Sequence, residues 1–116
     1  MGYVDLETTL KNFDGDLELF EAISRIYLED APVLVSELTR HVRAGYQVGI
    51  SEVLHKLKGL VANFHASQLV NQLEAGETAA KEGRGAIDQT ETALIAKQID
   101  QIGGELTSFL AANKKG

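Results

Sequence analysis

The residue of this sequence best suited to do chemistry is His55, which lies on the polar side of a predicted amphipathic helix over residues 47–64. The apolar positions of that helix recur every three or four residues. They are Ile50, Val53, Leu54, Leu57, Leu60, Val61 and Phe64. At about 100° per residue, His55 falls roughly 150° from the centre of the apolar face, so its imidazole is expected to point to solvent. An exposed imidazole is mostly neutral at pH 7, and its free nitrogen lone pair can attack a phosphoryl group.

Small and basic residues surround His55 on the predicted outer face. Gly59 and Ala62 follow it by four and seven positions, so they leave room for an incoming phosphoryl donor. A glycine in mid-helix lowers helix stability, which indicates that Gly59 serves another purpose. Lys58 can reach over the same face to meet the charge of about −2 that a phosphoryl group adds. Lys56 lies further round the helix, and we expect a weaker, long-range electrostatic role for it.

The rim of this face is predicted to include Ser51, Glu52 and Ala62. Ser51 and Glu52 lie about one turn before His55, and Ala62 lies about two turns after it. Together with Gly59 they would form the surface on which a partner docks. A transient contact of this kind is expected to be small and partly apolar.

Other interpretations of the same residues remain open at this point. An exposed histidine is often an ordinary surface residue, and a helical glycine such as Gly59 sometimes marks a close contact between helices. Glu52 and His55 form an E-x-x-H motif, but di-iron bundles need two such motifs and further glutamates that all point inward. We therefore predict no metal site. His41, between Leu38 and Val42, is expected at the boundary between the buried and exposed sides of its helix, and His65 is expected to have a capping or packing role in a turn.

The rest of the chain is predicted to be helical, since it has one proline and no runs of alternating β-branched and polar residues. Asp30 would cap a helix with Pro32 in its first turn; one long helix kinked at Pro32 is the alternative. Ser67 is a predicted N-cap, and Gly103-Gly104 predicts a kink or a close helix crossing. The six predicted segments are 5–12, 16–29, 30–44, 47–64, 67–82 and 88–109, the last opened by an Asp88-x-x-Glu91 capping box.

These elements predict an all-α fold: an antiparallel four-helix bundle with short N-terminal helical additions, in one domain over residues 1–116. The 11 basic and 17 acidic residues give a net charge of −6, which argues against nucleic-acid binding. The absence of cysteine excludes disulfides and thiolate zinc sites. No apolar run is long enough to span a bilayer, and the first residues do not resemble a signal peptide, so we expect a cytoplasmic protein without direct membrane contact.

The segment His55-Lys56-Leu57-Lys58-Gly59 resembles the H-x-L-K-G signature of histidine-containing phosphotransfer (HPt) domains. The resemblance extends over most of the chain. Residues 4–16 resemble the opening of the family, residues 20–32 its acidic stretch before a proline, and residues 64–69 the turn after the active helix. The motif alone is weak, but within an acidic helical bundle of this length it is fairly specific.

Three positions depart from the family pattern. The family often has a small residue before the histidine, where this chain has Leu54, and a glycine in the following turn, where this chain has His65. A frequent Leu-Glu pair is replaced by Gly76-Glu77. These positions concern packing and a turn, so the assignment of the phosphoacceptor stands.

The resemblance implies a phosphorelay intermediate in two-component signalling. His55 would accept a phosphoryl group from a receiver-domain aspartate and pass it to another receiver, with Lys58 as charge partner. The receivers, of response regulators or of a hybrid sensor kinase, would supply Mg²⁺, so the domain itself would need no cofactor and would be a carrier rather than an enzyme. We expect a monomer, either free-standing or the cytoplasmic module of a membrane sensor kinase. The alternatives are a non-catalytic helical adaptor and, less favoured, a fragment of a metal-binding bundle.

Overall fold

The computed structural model describes residues 16–84 and 87–112, and within those ranges the secondary structure is helical with no strand. The predicted segment 5–12, and with it the N-terminal helical addition, lies outside the described residues. The helices are α1 (Leu17–Ala44), α2 (Gln47–Ala62), α3 (Ser67–Lys81) and α4 (Gln89–Ala112). The predicted all-α four-helix bundle is confirmed.

The helices pack in a simple order. Short turns at 45–46 and 63–66 fold α2 back on α1 and α3 back on α2, while α4 packs against α1. A hydrogen bond of 3.2 Å from Gln98 Nε2 of α4 to Gln72 Oε1 of α3 links α4 to α3. The helix α2 therefore has neighbours on two sides, and the described residues leave its outer face open to a partner. None of the described helices combines the length and apolar character needed to cross a bilayer.

Aromatic side chains fill the core where α1 and α4 meet the turn after α2. The ring of Phe20 packs edge-on against Phe64 at 6.0 Å and against Phe109 at 5.1 Å, and Tyr27 packs against Phe64 at 5.5 Å. The Tyr27 hydroxyl donates a 2.8 Å hydrogen bond to the carbonyl of Ile99. Burial, with a smaller contribution from the charge of Asp100, raises the pKa of Tyr27. The neutral hydroxyl thus joins α1 to α4.

The prediction that a helix starts at Asp30 is wrong: α1 continues through Pro32, as the single-helix alternative proposed. The buried positions Phe20, Tyr27 and Leu38, with Ser24 and Ala31 between them, form one continuous helical stripe on both sides of the proline. An interior proline costs about 3 kcal/mol. Burial of this one stripe along the 28-residue helix outweighs that cost, and Asp30 is left as an exposed mid-helix residue.

Two of the four helices, α1 and α4, begin with a side-chain cap, whereas α2 and α3 begin without one. The Asp16 carboxylate accepts from Leu19 N at 3.0 Å at the start of α1, and Asp88 accepts from Glu91 N at 2.8 Å before α4, as the predicted capping box requires. Gly45 ends α1 with φ of 67°. The Ser67 N-cap is wrong: Ala66 occupies that position without a side-chain acceptor, because the helix begins one residue earlier than the pattern indicated.

The other two histidines, His41 and His65, are half-buried at helix ends and turns. His41 is half-buried near the end of α1, with its ring 5.4 Å from that of Tyr46, which confirms its position at a boundary. His65 is half-buried in the turn after α2 and has φ of 57°, the left-handed conformation that glycine adopts most readily. The family's frequent glycine at this position is explained by that conformation, which histidine tolerates better than β-branched residues do.

The Gly103-Gly104 pair lies in the middle of α4 and does not end the helix. A Cβ at Gly103 would lie 3.5 Å from Leu28, which is an ordinary contact, and a Cβ at Gly104 would meet nothing within 4 Å. The predicted close helix crossing is therefore not so tight that it requires glycine. Nothing in the structure explains why both positions lack a side chain.

Candidate functional site

His55 lies in the middle of α2 with 67% of its side chain exposed, which confirms the predicted outward orientation. The opposite side of the helix is fully packed, since Val53, Leu54 and Leu57 are buried against the neighbouring helices. Those apolar contacts fix the rotation of α2 about its axis. The imidazole is consequently presented at the surface by a rigid element rather than by a loop.

A carboxylate from the neighbouring helix orients the imidazole ring. The Nδ1 atom of His55 lies 3.1 Å from Oε2 of Glu77, which is in α3 and has only 6% of its side chain exposed. An ionised carboxylate can only accept hydrogen bonds, so we assign the ring proton to Nδ1. The Nε2 atom then keeps the lone pair and is the nitrogen that could act as a nucleophile.

Two lysines neutralise Glu77. Lys58 Nζ lies 3.0 Å from Oε1 and Lys81 Nζ lies 2.9 Å from Oε2. Burial by itself would raise the pKa of the Glu77 carboxyl, but hydrogen bonds from Lys81 and Lys58, with the charges of both, outweigh it and lower the pKa to about 2. Glu77 is thus ionised at any pH at which the protein would operate.

The surroundings of Lys58 differ from the sequence prediction. The prediction placed its ammonium group free on the outer face, ready for a phosphoryl group. In the structure that group is bound to the buried carboxylate of Glu77. Glu74 Oε1 also lies near it, 3.8 Å from Lys58 Nζ. A lysine that neutralises a buried anion in its own fold is not a free cation, so a role toward phosphate would require it to change partner.

The open surface beside His55 comes from Gly59. A Cβ at this position would meet no atom within 4 Å, so the alternative explanation of Gly59 as a close helix contact is wrong. Next to it a shallow groove runs between α1 and α2, lined by Asp30, Val33, Leu34, Lys56, Gly59 and Leu60. The groove has an apolar floor with one acidic and one basic residue on its sides.

The predicted rim residues are only partly on the surface. Glu52, Lys56 and Ala62 are exposed, as expected. Ser51 is only 7% exposed, and its hydroxyl donates a 2.9 Å hydrogen bond to the Val48 carbonyl, so the prediction that it lies on the outer face is wrong. The reason is that α1 and α3 both pack on α2 and bury more of its circumference than its apolar residues alone would indicate.

A second hollow brings residues of α2 and α3 together around the histidine. It is lined by Ser51, Glu52, His55, Lys56, Glu77 and Lys81. Sequence reasoning missed Glu77 and Lys81 as site residues. Two signals could have found them: their spacing of four residues, which favours a helical ion pair, and the position of Glu77 in the family's Leu-Glu pair.

Two departures from the family pattern lie in contact with each other. A Cβ at Gly76 would lie only 3.0 Å from Leu54 Cδ1, and 3.3 Å from Ile87 Cγ2. The larger residue before His55 therefore occupies the space that a larger residue before Glu77 would need. This exchange of sizes preserves the approach of α2 and α3 that puts His55 and Glu77 within hydrogen-bond distance.

The acidic and histidine residues of the described ranges do not converge on a metal position. Among residues 16–84 and 87–112, no three histidine, aspartate or glutamate side chains are grouped so that they could hold an ion. The E-x-x-H pair of Glu52 and His55 gains no further ligand from the neighbouring helices there.

Comparison with known proteins gives one match. A family model described as Hpt domain matches residues 22–105 of this chain, a span that includes His55, Lys58, Glu77 and Lys81. No curated protein and no solved structure matches the chain.

Proposed function

Since the chain belongs to the histidine-containing phosphotransfer (Hpt) domain family, we propose that His55 accepts a phosphoryl group from the aspartate of one receiver domain and passes it to the aspartate of another. Family membership implies phosphotransfer in two-component signalling, in which Hpt domains are carriers rather than catalysts. The observation that carries the proposal is an exposed imidazole whose Nδ1 is bound by a buried, ionised carboxylate, which leaves Nε2 as the nucleophile.

The transfer step needs no proton acceptor. The Nε2 lone pair attacks phosphorus, an N–P bond forms, the P–O bond of the aspartyl phosphate breaks, and the aspartate leaves as a carboxylate. The ring keeps the proton on Nδ1 and gains a positive charge. Glu77 lies 3.1 Å from that nitrogen and stabilises the charge. The reverse of the same step transfers the phosphoryl group to the next receiver, because a protonated imidazole ring is a good leaving group.

The rest of the chemistry would come from the partner. Phosphoryl transfer depends mainly on positioning and on stabilisation of charge, so a nucleophile with a few nearby cations is sufficient on this side. We assign the Mg²⁺ to the receiver domain and no cofactor to this chain. Lys56, at the edge of both hollows, adds positive charge to the docking face. Lys58 would add its charge there only by leaving the Glu77 carboxylate.

The groove beside Gly59 is the proposed docking position of the receiver. Its apolar floor of Val33, Leu34 and Leu60 would bury apolar side chains of the receiver, and Gly59 would let the aspartyl phosphate approach His55. A small contact of this kind is weak and short-lived, which suits a carrier that must release each partner.

We place the protein in the cytoplasm, where its receivers would be. We further propose that it is a monomer, which works alone or within a sensor kinase. Size-exclusion chromatography with light scattering at micromolar concentration tests the monomer. A stable dimer would contradict that part of the proposal.

The direct experiment uses a receiver domain labelled on its aspartate, Mg²⁺ and this protein. We expect label to move to the wild type as an acid-labile, alkali-stable phosphohistidine, and not to His55→Gln. His41→Gln and His65→Gln are matched controls that should still accept label. If His55→Gln accepts label like the wild type, the site is wrong. If the wild type accepts none from a panel of receivers, the adaptor alternative is favoured.

The position of the phosphoryl group on the ring is a second outcome of the same reaction. Phosphorus NMR of the product is expected to show the Nε2 isomer. The Nδ1 isomer would contradict the tautomer that Glu77 imposes.

A further inference from the structure

Lys81 is a charged residue of the site to which the H-x-L-K-G motif gives no role. It lies in the last turn of α3, and its ammonium group is 2.9 Å from Glu77 Oε2. The same oxygen receives the hydrogen bond of His55 Nδ1, at 3.1 Å. Lys58 binds the other carboxylate oxygen, so the nucleophile and Lys81 share one atom of the anion and Lys58 does not.

This sharing matters because a carboxylate beside an imidazole favours its doubly protonated form. A doubly protonated ring has no lone pair and cannot attack phosphorus. The Glu77 charge is therefore useful in the transferred state, where the ring is positive, but harmful in the resting state. A cation bound to the same carboxylate oxygen reduces the field at the ring without breaking the hydrogen bond that orients it.

The other charges around His55 do not duplicate this effect. On α2, Glu52 and Lys56 are exposed and of opposite sign. Lys58 is divided between Glu77 and Glu74 of α3. On α1, Asp30 lies in the same groove as Lys56. Lys81 is thus the cation bound to the carboxylate oxygen that contacts the imidazole.

We propose that Lys81 is a positioning residue that, through Glu77, keeps His55 singly protonated at physiological pH and so available as a nucleophile. The inference rests on the proposed function, because it concerns the readiness of the same histidine. Lys81 need not touch the phosphoryl group for this role. Its side chain is 64% exposed and Lys58 still pairs with Glu77 in its absence, so Lys81→Gln is expected to fold, with some loss of stability.

The test measures the charge state of His55 directly. In Lys81→Gln, nitrogen NMR of the imidazole at pH 7 is expected to show a larger doubly protonated fraction of His55 than in the wild type. A unit charge about 6 Å away changes such an equilibrium by about threefold in a water-like dielectric, which applies here because the side chains of His55 and Lys81 are both largely exposed. Lys81→Arg should restore the wild-type fraction, and Lys97→Gln, on α4, is the matched control that should not change it.

A rate measurement without a receiver supplies the second readout. With phosphoramidate as the phosphoryl donor, the ratio of the Lys81→Gln rate to the wild-type rate should be about two- to threefold lower at pH 6 than at pH 8. The donor is common to both proteins, so its own titration cancels in the ratio. A merely structural role of Lys81 would lower the rate equally at both pH values.

The outcomes separate this inference from the proposed function. An unchanged or smaller doubly protonated fraction in Lys81→Gln overturns the role of Lys81, whether or not His55 is ever phosphorylated. If the wild type takes up no phosphoryl group at His55 from either donor, the proposed function fails, while the NMR comparison still decides what Lys81 does.

Discussion

The α2–α3 face and the α1–α4 face of the bundle place polar groups between helices in different ways. Between α1 and α4, the buried Tyr27 hydroxyl makes one hydrogen bond to the Ile99 carbonyl and stays neutral. Between α2 and α3, the buried Glu77 is ionised and is contacted by a histidine and two lysines. A neutral hydrogen bond stabilises a core modestly, whereas a buried charge is stable only while its partners remain. The first arrangement supports the fold, and the second orients the exposed imidazole of His55.

The largest expected effect is in the aromatic core. Phe20→Ala removes a ring that packs against both Phe64 and Phe109 and should lower the free energy of unfolding by about 3–5 kcal/mol. Urea denaturation measures it. If the two faces are independent, the phosphorylation rate per folded molecule should stay at the wild-type value, and Phe20→Leu should show a smaller loss of stability. A loss of rate in well-folded Phe20→Leu would show that the core also sets the site.

The next effect concerns the charge of Glu77 and depends on pH. Its pKa falls from an ordinary 4.5 to about 2 on folding, because the lysine contacts outweigh burial. A lowered pKa contributes stability that is present above about pH 4.5 and is lost as the pH falls toward 2. The stability difference between wild type and Glu77→Gln should therefore narrow by about 2–3 kcal/mol between pH 7 and pH 2, less than the full shift implies since Lys81 is largely exposed.

Glu74→Gln is the control for this pH dependence. Glu74 is exposed, and its ion pair with Lys58, at 3.8 Å, is long. The difference in stability between Glu74→Gln and wild type should stay nearly constant over the same pH range. If the free energies of unfolding of Glu77→Gln and wild type instead change in parallel with pH, the buried carboxylate is not held ionised by its lysines.

The contact between Leu54 and Gly76 gives a smaller and more specific effect. Gly76→Leu should destabilise the protein by about 1–3 kcal/mol, because the new side chain meets Leu54 Cδ1 at once. Combining it with Leu54→Ala should recover part of that loss, so the two changes would be non-additive. Additive losses would show that the two departures from the family pattern are unrelated. Chemical denaturation of the four proteins measures the coupling.

Sequence periodicity predicted the bundle and the exposure of His55, because one amphipathic helix contains the necessary information. It favoured a break at Pro32, because local propensity disfavours an interior proline. The helix α1 continues there because one stripe of side chains is buried against α2 and α4 on both sides of the proline. Ser51 was misplaced for a related reason: two neighbouring helices bury more of α2 than its apolar residues indicate.

Glu77 and Lys81 show the limit of the sequence for the site itself. Read along α3, both are ordinary charged residues of a helix surface. Glu77 becomes part of the site only because α3 packs against α2 at Gly76 and brings the carboxylate to Nδ1 of His55. Such a contact between residues 22 positions apart depends on tertiary packing and leaves no periodic signal in the chain.

The smallest effect compares two glycines, one in α2 and one in α4. Gly59 and Gly104 both lie inside helices, and a Cβ at either would meet nothing within 4 Å. Replacing either with Gln should stabilise the protein by about 0.5 kcal/mol, because Gln has the better helix propensity. Transfer from a phosphorylated receiver should slow only in Gly59→Gln, whose side chain lies beside His55. Equal transfer rates for the two variants would show that the gap at Gly59 does not admit the receiver.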